Sequence, residues 1–458
     1  MKTIVLTISR GSIARMFLQN DFYRILRERR RIVILTPAYQ NERFIKEFAH
    51  PNVSFAPLEE IKWGRMDNWV YNASRLLIWN PSVDVRIRYG IFSDEKVRPR
   101  PVYYAVKGIA LALRRFRFLR DWLRAFDARF LQKDVVRQYR ALLERERADF
   151  VLSTNPVGVE EAALLKAARE LGIRHWVIPK SWDNFPKSGL RAKGERVAAW
   201  NLQTKDEAMR YQNYAASDVD VIGMMHYDDL LDPGRRWDRA EFCRAYGLSP
   251  DRKIILFGSG GKYFRHDSDI AMMLVEMIEK NELAEPCTLL IRPHFGFHAD
   301  EKKYLHLVGR AHIAVDLFHQ PPEGGFKDNW DYSDAFTERW VNSIAHASVI
   351  IGTHSSLSVD AAALDKPAIS IAFDGLAKDL PYEKSVIRTY VDYYRNVVET
   401  GGTRMVYGRD ELRAAVNAYL RDPGQDREGR KKLRERYAEP LDGKAGQRLA
   451  DLLFNATL

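Results

Sequence analysis

The chain has 458 residues, 46% of them apolar, with ten tryptophans and a formal net charge of +11. It is too long for one ordinary hydrophobic core and too apolar for a disordered chain, so two or three folded domains are expected. Its two cysteines, Cys243 and Cys287, exclude a disulfide scaffold and a cysteine-based zinc site, and they fit a reducing compartment.

The first residues predict a strand over 3–8, because the apolar run is too short for a signal peptide and has no cleavage site. A turn at 9–12 follows, then a helix over 13–29 and strands over 31–35 and 53–56. Arg10, Gly11 and Ser12 occupy the turn. Gly11 suits a close approach and Arg10 or Arg15 could hold an anionic acceptor, while Ser12 would serve equally as a helix N-cap. No apolar run approaches the ~20 residues needed to cross a bilayer. A cytoplasmic protein, soluble or peripheral, is expected.

Residues 86–147 carry 17 Lys/Arg against 7 Asp/Glu, a net +10 and nearly the whole excess. Charge this localised points to an anionic partner surface. Within it, 103–131 has helical periodicity: Ile109, Leu113, Phe116, Leu119, Leu123, Phe126 and Phe130 form one stripe. Lys107, Arg114, Arg117, Arg120 and Arg124 lie off the stripe, and Phe118 and Trp122 add aromatics. This is the pattern of an interfacial helix on anionic lipid. The alternative is a helix packed on the first sheet with solvated arginines. Nucleic acid is not expected, since no nucleic-acid module is present.

The α/β alternation resumes with a strand over 149–153, a helix over 159–171 closed by Gly172, and strands over 174–178, 197–200 and 219–222. Ser181-Trp182-Asp183-Asn184 directly follows a strand, at its carboxyl end. Asp183 is the leading candidate for a general base and His226 the second. Asp183 and Asn184 would equally make an Asx turn. Asp218-Val219-Asp220 spells DxD but leads into a strand, so it reads as a strand start, not a metal site.

Residues 228–250, with the turn Asp232-Pro233-Gly234, read as a connection between halves 1–227 and 251–408. The second half opens with a strand over 253–257 and the turn Gly258-Ser259-Gly260-Gly261, whose N–H groups could form an anion nest, with Lys262 adjacent. A helix over 268–280 and a strand over 287–292 follow, the latter ending in Arg292-Pro293-His294. Residues 323–334 form a polar loop, either a flap or a surface loop, the surface loop being the preferred reading. A βαβ unit comes next: a strand over 349–352, a turn at 353–356, a helix over 357–364 and a strand over 368–373. His354, Ser355 and Ser356 lie where a strand meets a helix, the usual place for an anion in an open α/β sheet, and Asp360 could accept from sugar hydroxyls. Helices over 409–421, 427–437 and 444–454 make up a C-terminal helical segment, 409–458.

These pieces resemble GT-B glycosyltransferases, which implies two Rossmann-like domains facing across a cleft. Arg292-Pro293-His294 followed by Thr353-His354-Ser355-Ser356 resembles the paired HP and SS motifs of bacterial capsule-type transferases, including polysialyltransferase-like and CDP-glycerol glycerophosphotransferase-like enzymes. Trp182-Asp183-Asn184 is similar to a cluster of such transferases, and Asp442-Gly443-Lys444 resembles their closing segment. Residues 353–367 also line up on the UDP-GlcNAc 2-epimerase pattern, although its DSGG turn is absent here. That resemblance implies that Asp360 holds a nucleotide's ribose.

The reading is therefore a metal-independent glycosyltransferase that needs no cofactor beyond its nucleotide-sugar co-substrate. It would move a sugar to a surface-polysaccharide or lipid-linked acceptor at an anionic membrane surface. Catalysis is expected from Asp183, His226 or His294. Donor binding is expected from Gly258–Gly261, Arg292, His294, His354, Ser355, Ser356 and Asp360. Arg10, Gly11, Ser12, Trp182 and Asn184 would face the acceptor. Arg114, Phe116, Arg117, Arg120, Trp122 and Arg124 would face the membrane. A nucleotide-sugar epimerase and a non-catalytic membrane-associated scaffold are the alternatives.

Overall fold

A computed structural model describes residues 1–91, 95–322 and 324–457. Short, continuous apolar runs such as Thr3–Thr7 and Val349–Gly352 are buried on both faces, as parallel strands covered by helices must be. The first sheet contains β1 (Thr3–Thr7), β2 (Arg31–Thr36), β3 (Val53–Pro57), β4 (Phe150–Ser153), β5 (Arg174–Val177), β6 (Arg196–Ala199) and β7 (Val219–Val221). The second contains β8 (Lys253–Gly258), β9 (Cys287–Arg292), β10 (Ile313–Val315), β11 (Val349–Gly352), β12 (Ala368–Ile371) and β13 (Arg404–Val406). The orders are β3-β2-β1-β4-β5-β6-β7 and β10-β9-β8-β11-β12-β13, with parallel pairing throughout. Each sheet therefore reverses direction beside its own first strand, and the crevice at that switch point is where such sheets bind ligands. The protein has a two-domain, GT-B-like α/β fold.

Several expected elements divide. The helix expected over 13–29 is two, Gly11–Leu18 and Asp21–Arg29, because the Asn20 side chain caps the second by accepting from the Phe22 N–H at 3.0 Å. The connection at 228–250 is largely helical, with helices His226–Leu231 and Arg239–Tyr246. The C-terminal segment returns across the molecule. Helix Ala445–Ala456 packs on helix Asp21–Arg29 of the first half, where the Asp228 carboxylate accepts from the Ala445 and Gly446 N–H groups. Gly446 lies so close to Phe22 that an added Cβ would stand 2.8 Å from its backbone nitrogen.

The basic helix needs the largest correction. It is broken at 114–117 into helices Arg100–Leu113 and Phe118–Phe130. Two of the arginines expected on lipid point inward. Arg120 is buried and donates to the Leu77, Arg210 and Arg114 carbonyls and to Asn213 Oδ1. Arg124 is also buried and donates to the Leu190 carbonyl, Asp121 and Gln212. Arg114 and Arg117 lie at the surface, though both donate to backbone carbonyls, of Trp79 and Met209. Their exposed neighbours are aromatic: Phe118 is 65% exposed, Tyr104 63% and Trp122 56%. Below them Asp127 joins Lys166 and Arg191 in a buried network that also holds Asp67.

Candidate functional site

The carboxyl ends of the two sheets face each other, and two cavities lie between them. One, of about 280 Å³, is walled by Trp182, Trp200, Trp330, Phe336 and Trp340, with Arg15, Lys180, His226, Arg292 and Asp360. We refer to it as the aromatic chamber. The other, of about 250 Å³, includes Arg86, Asp183, Lys187, His354, Arg388 and Tyr393. This is the cationic chamber. Ser181, Trp182, Ser259, His294, Ser355 and Ser356 line both, so the chambers meet there. Buried polar atoms without a partner among the described residues sit in these walls: Trp200 Nε1, His294 Nδ1 and His354 Nδ1. Such orphans are costly in a closed core and mark a surface that awaits a ligand or water.

The turn at 353–356 leads into helix Leu357–Ala363 and lines the chambers. Ser355 accepts from the Leu357 N–H at 3.2 Å, and its own hydroxyl proton is free to donate. Asp360 is buried, one turn along helix Leu357–Ala363. It accepts from Tyr227 Oη at 3.1 Å and has His226 Nε2 at 3.7 Å. His226 is thus a neighbour of Asp360, enclosed by Trp200 and Trp340, and stands away from the junction.

The glycine turn does not form the expected nest. Its donors are spent: Ser259 N–H on the Arg292 carbonyl, Gly260 N–H on Asp267 and Gly261 N–H on Ser259 Oγ. Ser259 Oγ in turn lies 2.6 Å from both Asp267 and Asp300, which Lys303 bridges. Packing accounts for the glycines. At Gly261 φ is +59° and a Cβ would stand 2.3 Å from Phe297, and at Gly258 it would stand 2.7 Å from Leu357. Gly258, Ser259, Gly260 and Gly261 therefore shape the wall without presenting an anion site.

Arg292 ends β9 and its guanidinium lies over Phe295 and Phe336, with Asp316 at 3.2 Å and Ser343 Oγ at 3.0 Å. His294, two residues on, sits at the junction of the chambers, where burial pushes its imidazole pKa down and keeps it neutral. His354 faces the cationic chamber. Burial, with the Lys187 charge nearby, pushes it down to about 3.

In the first half, Asp183 accepts from Ser181 Oγ at 2.7 Å and pairs tightly with Lys187. Burial alone would raise its pKa, but the Lys187 ammonium holds it down at about 2. A carboxylate so stabilised is a poor proton acceptor, so the expected role of Asp183 as general base is not retained. Asn184 lies outside both chambers, and its Oδ1 accepts from the Ser181 N–H at 3.2 Å, which is a turn-forming role. Of this segment, Ser181 and Trp182 reach both chambers.

The first turn is likewise occupied. Gly11 N–H donates to Asp328 at 2.8 Å and Ser12 Oγ does so at 2.9 Å. Arg10, Gly11 and Ser12 line neither chamber, and Arg15, one helical turn on, takes their place. The segment expected as a surface loop explains this. Of it, Glu323 lies outside the described residues. The rest straps the halves together: Gly325 abuts Ala38, Phe326 and Tyr332 pack on Phe44, and Trp330 stacks under the Arg15 guanidinium. On the opposite side, Arg388 donates to the Gly90 and Ile91 carbonyls.

Lys180 was not read from the sequence. It precedes Ser181 and lines the aromatic chamber, and burial, then the Arg10 charge, lower its ammonium to about 8. Asp220, of the DxD spelling, is taken by a bidentate pair with Arg196. Among the described residues no cluster of His, Cys, Asp and Glu has the form of a metal site, and no helix is long and apolar enough to cross a membrane.

No protein-family model and no curated protein matches this chain. Solved structures match it in fold over its whole length. S. aureus MnaA with UDP superposes with a TM-score of 0.54 at 12% identity, covering 100% of this chain and 98% of that one. The UDP-GlcNAc 2-epimerase of Neisseria meningitidis, bound to UDP-GlcNAc, gives 0.54 at 11%, over 99% and 100% of the two chains. The wall teichoic acid polymerase TagF with CDPG gives 0.54 at 14%, over 100% and 88%. The resemblance to both groups drawn from the HP and SS motifs and from residues 353–367 therefore holds at the level of the fold.

Proposed function

We propose that this protein is an enzyme acting on a nucleotide sugar, and that it transfers the sugar to a second substrate. The carrying observation is the pair of chambers meeting at Ser181, His294, Ser355 and Ser356. A nucleoside fits the aromatic chamber, its base against the tryptophans and its ribose on Asp360. The diphosphate would lie toward Ser355 and Ser356, with Arg15, Lys180 and Arg292 supplying positive charge. These groups would stabilise the leaving diphosphate without a metal ion. The acceptor hydroxyl would enter from the cationic chamber and attack the anomeric carbon as its bond to the diphosphate breaks, while His294 takes the hydroxyl proton. An epimerase requires room for one substrate only, so the second chamber favours transfer. Nothing in the arrangement calls for the scaffold reading.

The exposed aromatics Tyr104, Phe118 and Trp122, among surface arginines, support a peripheral position on an anionic, cytoplasmic membrane face. The acceptor on this reading is lipid-linked or part of a surface polysaccharide. A thermal-shift screen of UDP, CDP and GDP with and without Mg²⁺ tests the nucleotide. One nucleotide should raise the melting temperature, with or without metal. No shift at millimolar concentrations with any of them would remove the nucleotide reading.

A further inference from the structure

The exposed aromatic face has an inner side that reaches the wall of the chambers. Outward, Trp122 and Trp69 close on the half-buried Phe126 ring, with centroids 5.9 and 6.0 Å away. Trp63, Met66 and Phe130 are exposed beside them, so the face spans helices Arg65–Leu76 and Phe118–Phe130. Over 114–130 the exposed charged residues are Arg114, Arg115, Arg117, Asp121 and Arg129, so cations predominate. Inward, helix Phe118–Phe130 holds the segment 181–191. Arg124 donates to the Leu190 carbonyl at 3.1 Å and to Gln212 Oε1 at 3.3 Å. Gln212 is fully buried and its amide is committed to the same segment. Its Oε1 also accepts from the Leu190 N–H at 3.0 Å, and its Nε2 donates to the Phe185 and Ser188 carbonyls at 3.0 and 2.9 Å. The end of the segment is anchored by Arg191, which pairs with Asp127 at 2.5 Å and with Asp67 of helix Arg65–Leu76 at 2.8 Å. The start of the segment lines the cationic chamber, through Ser181, Trp182, Asp183 and Lys187. Residues 181–191 are all buried or half-buried, so lipid on the aromatic face reaches them only through the helix.

We infer that this connection is a regulatory device: contact of the aromatic face with an anionic lipid surface shifts helix Phe118–Phe130, and Arg124 and Gln212 carry the shift to the chamber wall at 181–187. The inference rests on the membrane position proposed above and adds that the membrane sets the state of the site as well as its place. Charge selects the occupant, since arginines interleaved with exposed aromatics match anionic headgroups above an acyl boundary. The cause of the shift is a competition within one helix. In water the helix is held by its inward bonds, and its outer aromatics gain burial when lipid is present. Hydrogen bonds weaken steeply as donor and acceptor tilt or part, and a close-packed interior transmits strain. A displaced helix therefore draws the segment with it or releases it, and either outcome changes the wall.

Hydrogen exchange of the full chain, with and without vesicles of equal parts phosphatidylglycerol and phosphatidylcholine, tests the inference, with cosedimentation run on the same samples. Exchange should change over 118–130 and, by about threefold or more, over 181–191. Arg124→Lys should still bind the vesicles and change over 118–130 but lose the change over 181–191, because lysine keeps the charge and loses the forked pair of bonds. In the wild type, a change confined to the aromatic face overturns the inference and leaves the membrane position standing. A change over 181–191 that survives Arg124→Lys does the same. Absence of cosedimentation overturns both. The wild-type comparison decides the matter by itself should Arg124→Lys fail to fold.

Discussion

Two turns of the second half, 258–261 and 353–356, end adjacent parallel strands and lead toward helices, yet they differ in what they have left to offer. In the first, three consecutive N–H groups and the Ser259 hydroxyl are satisfied within the protein. In the second, Ser355 retains its hydroxyl proton and the wall holds an orphaned histidine nitrogen. A glycine-rich turn is thus no anion site when a buried Asp267–Lys303–Asp300 cluster consumes its donors. The same distinction separates the arginines of the first half. Arg120 and Arg124 are spent on carbonyls and side chains, whereas Arg86 faces open space.

The sharpest test of this contrast lies between the turns, at His294. His294→Ala should lower transfer by about 10²–10⁴-fold, the usual worth of a positioned base, measured as kcat at saturating donor. Wild-type turnover in that variant would place the proton acceptor elsewhere. A smaller effect distinguishes the two turns directly. Ser355→Ala should weaken nucleoside diphosphate binding by about 10–100-fold, because a hydrogen bond to a charged group contributes ~1.5–3 kcal/mol. Ser259→Ala should instead lower the melting temperature and leave that affinity within a few-fold, and the reverse result would exchange the roles of the turns.

The arginine contrast is tested on vesicles. Phe118→Ser with Trp122→Ser should reduce cosedimentation with anionic vesicles several-fold, since each aromatic buries apolar area in the interface. Arg120→Gln should lower stability instead, by leaving buried carbonyls unpaired. The smallest expected effect is in pH. Lys180, lowered to about 8 by burial, is charged below that pH and loses its charge above it. Nucleoside diphosphate affinity should therefore hold from pH 6 to 7.5 and fall several-fold by pH 9, and Lys180→Met should flatten the slope. A slope unchanged in that variant would exclude Lys180 from the anion's surroundings.

Much of the scaffold was legible as pattern. Strands buried on both faces must be apolar without interruption, so 3–8, 253–257 and 349–352 stand out. The short strands β10 and β13 did not, because an edge strand of three residues, two of them only half-buried, leaves no such run. Among the residues lining the chambers, His294, Ser355 and Ser356 were legible because they follow the carboxyl ends of strands, and Asp360 because it lies on the helix that Ser356 leads into. Lys180 had the same signal, directly before Ser181. Arg86 and Arg388 had none, as one lies mid-helix and the other in an irregular turn.

By itself the sequence determined two α/β halves, the strand ends that face the cleft and a surplus of positive charge in one segment. These follow from local periodicity and composition. Only the tertiary structure decided which polar groups are spent. The Asp328 strap that occupies Gly11 and Ser12 and the Arg210 carbonyl that draws Arg120 inward come from positions far away along the chain. Hydrogen bonds and ion pairs depend on distance in space, and a linear pattern does not record which donor has already found its acceptor.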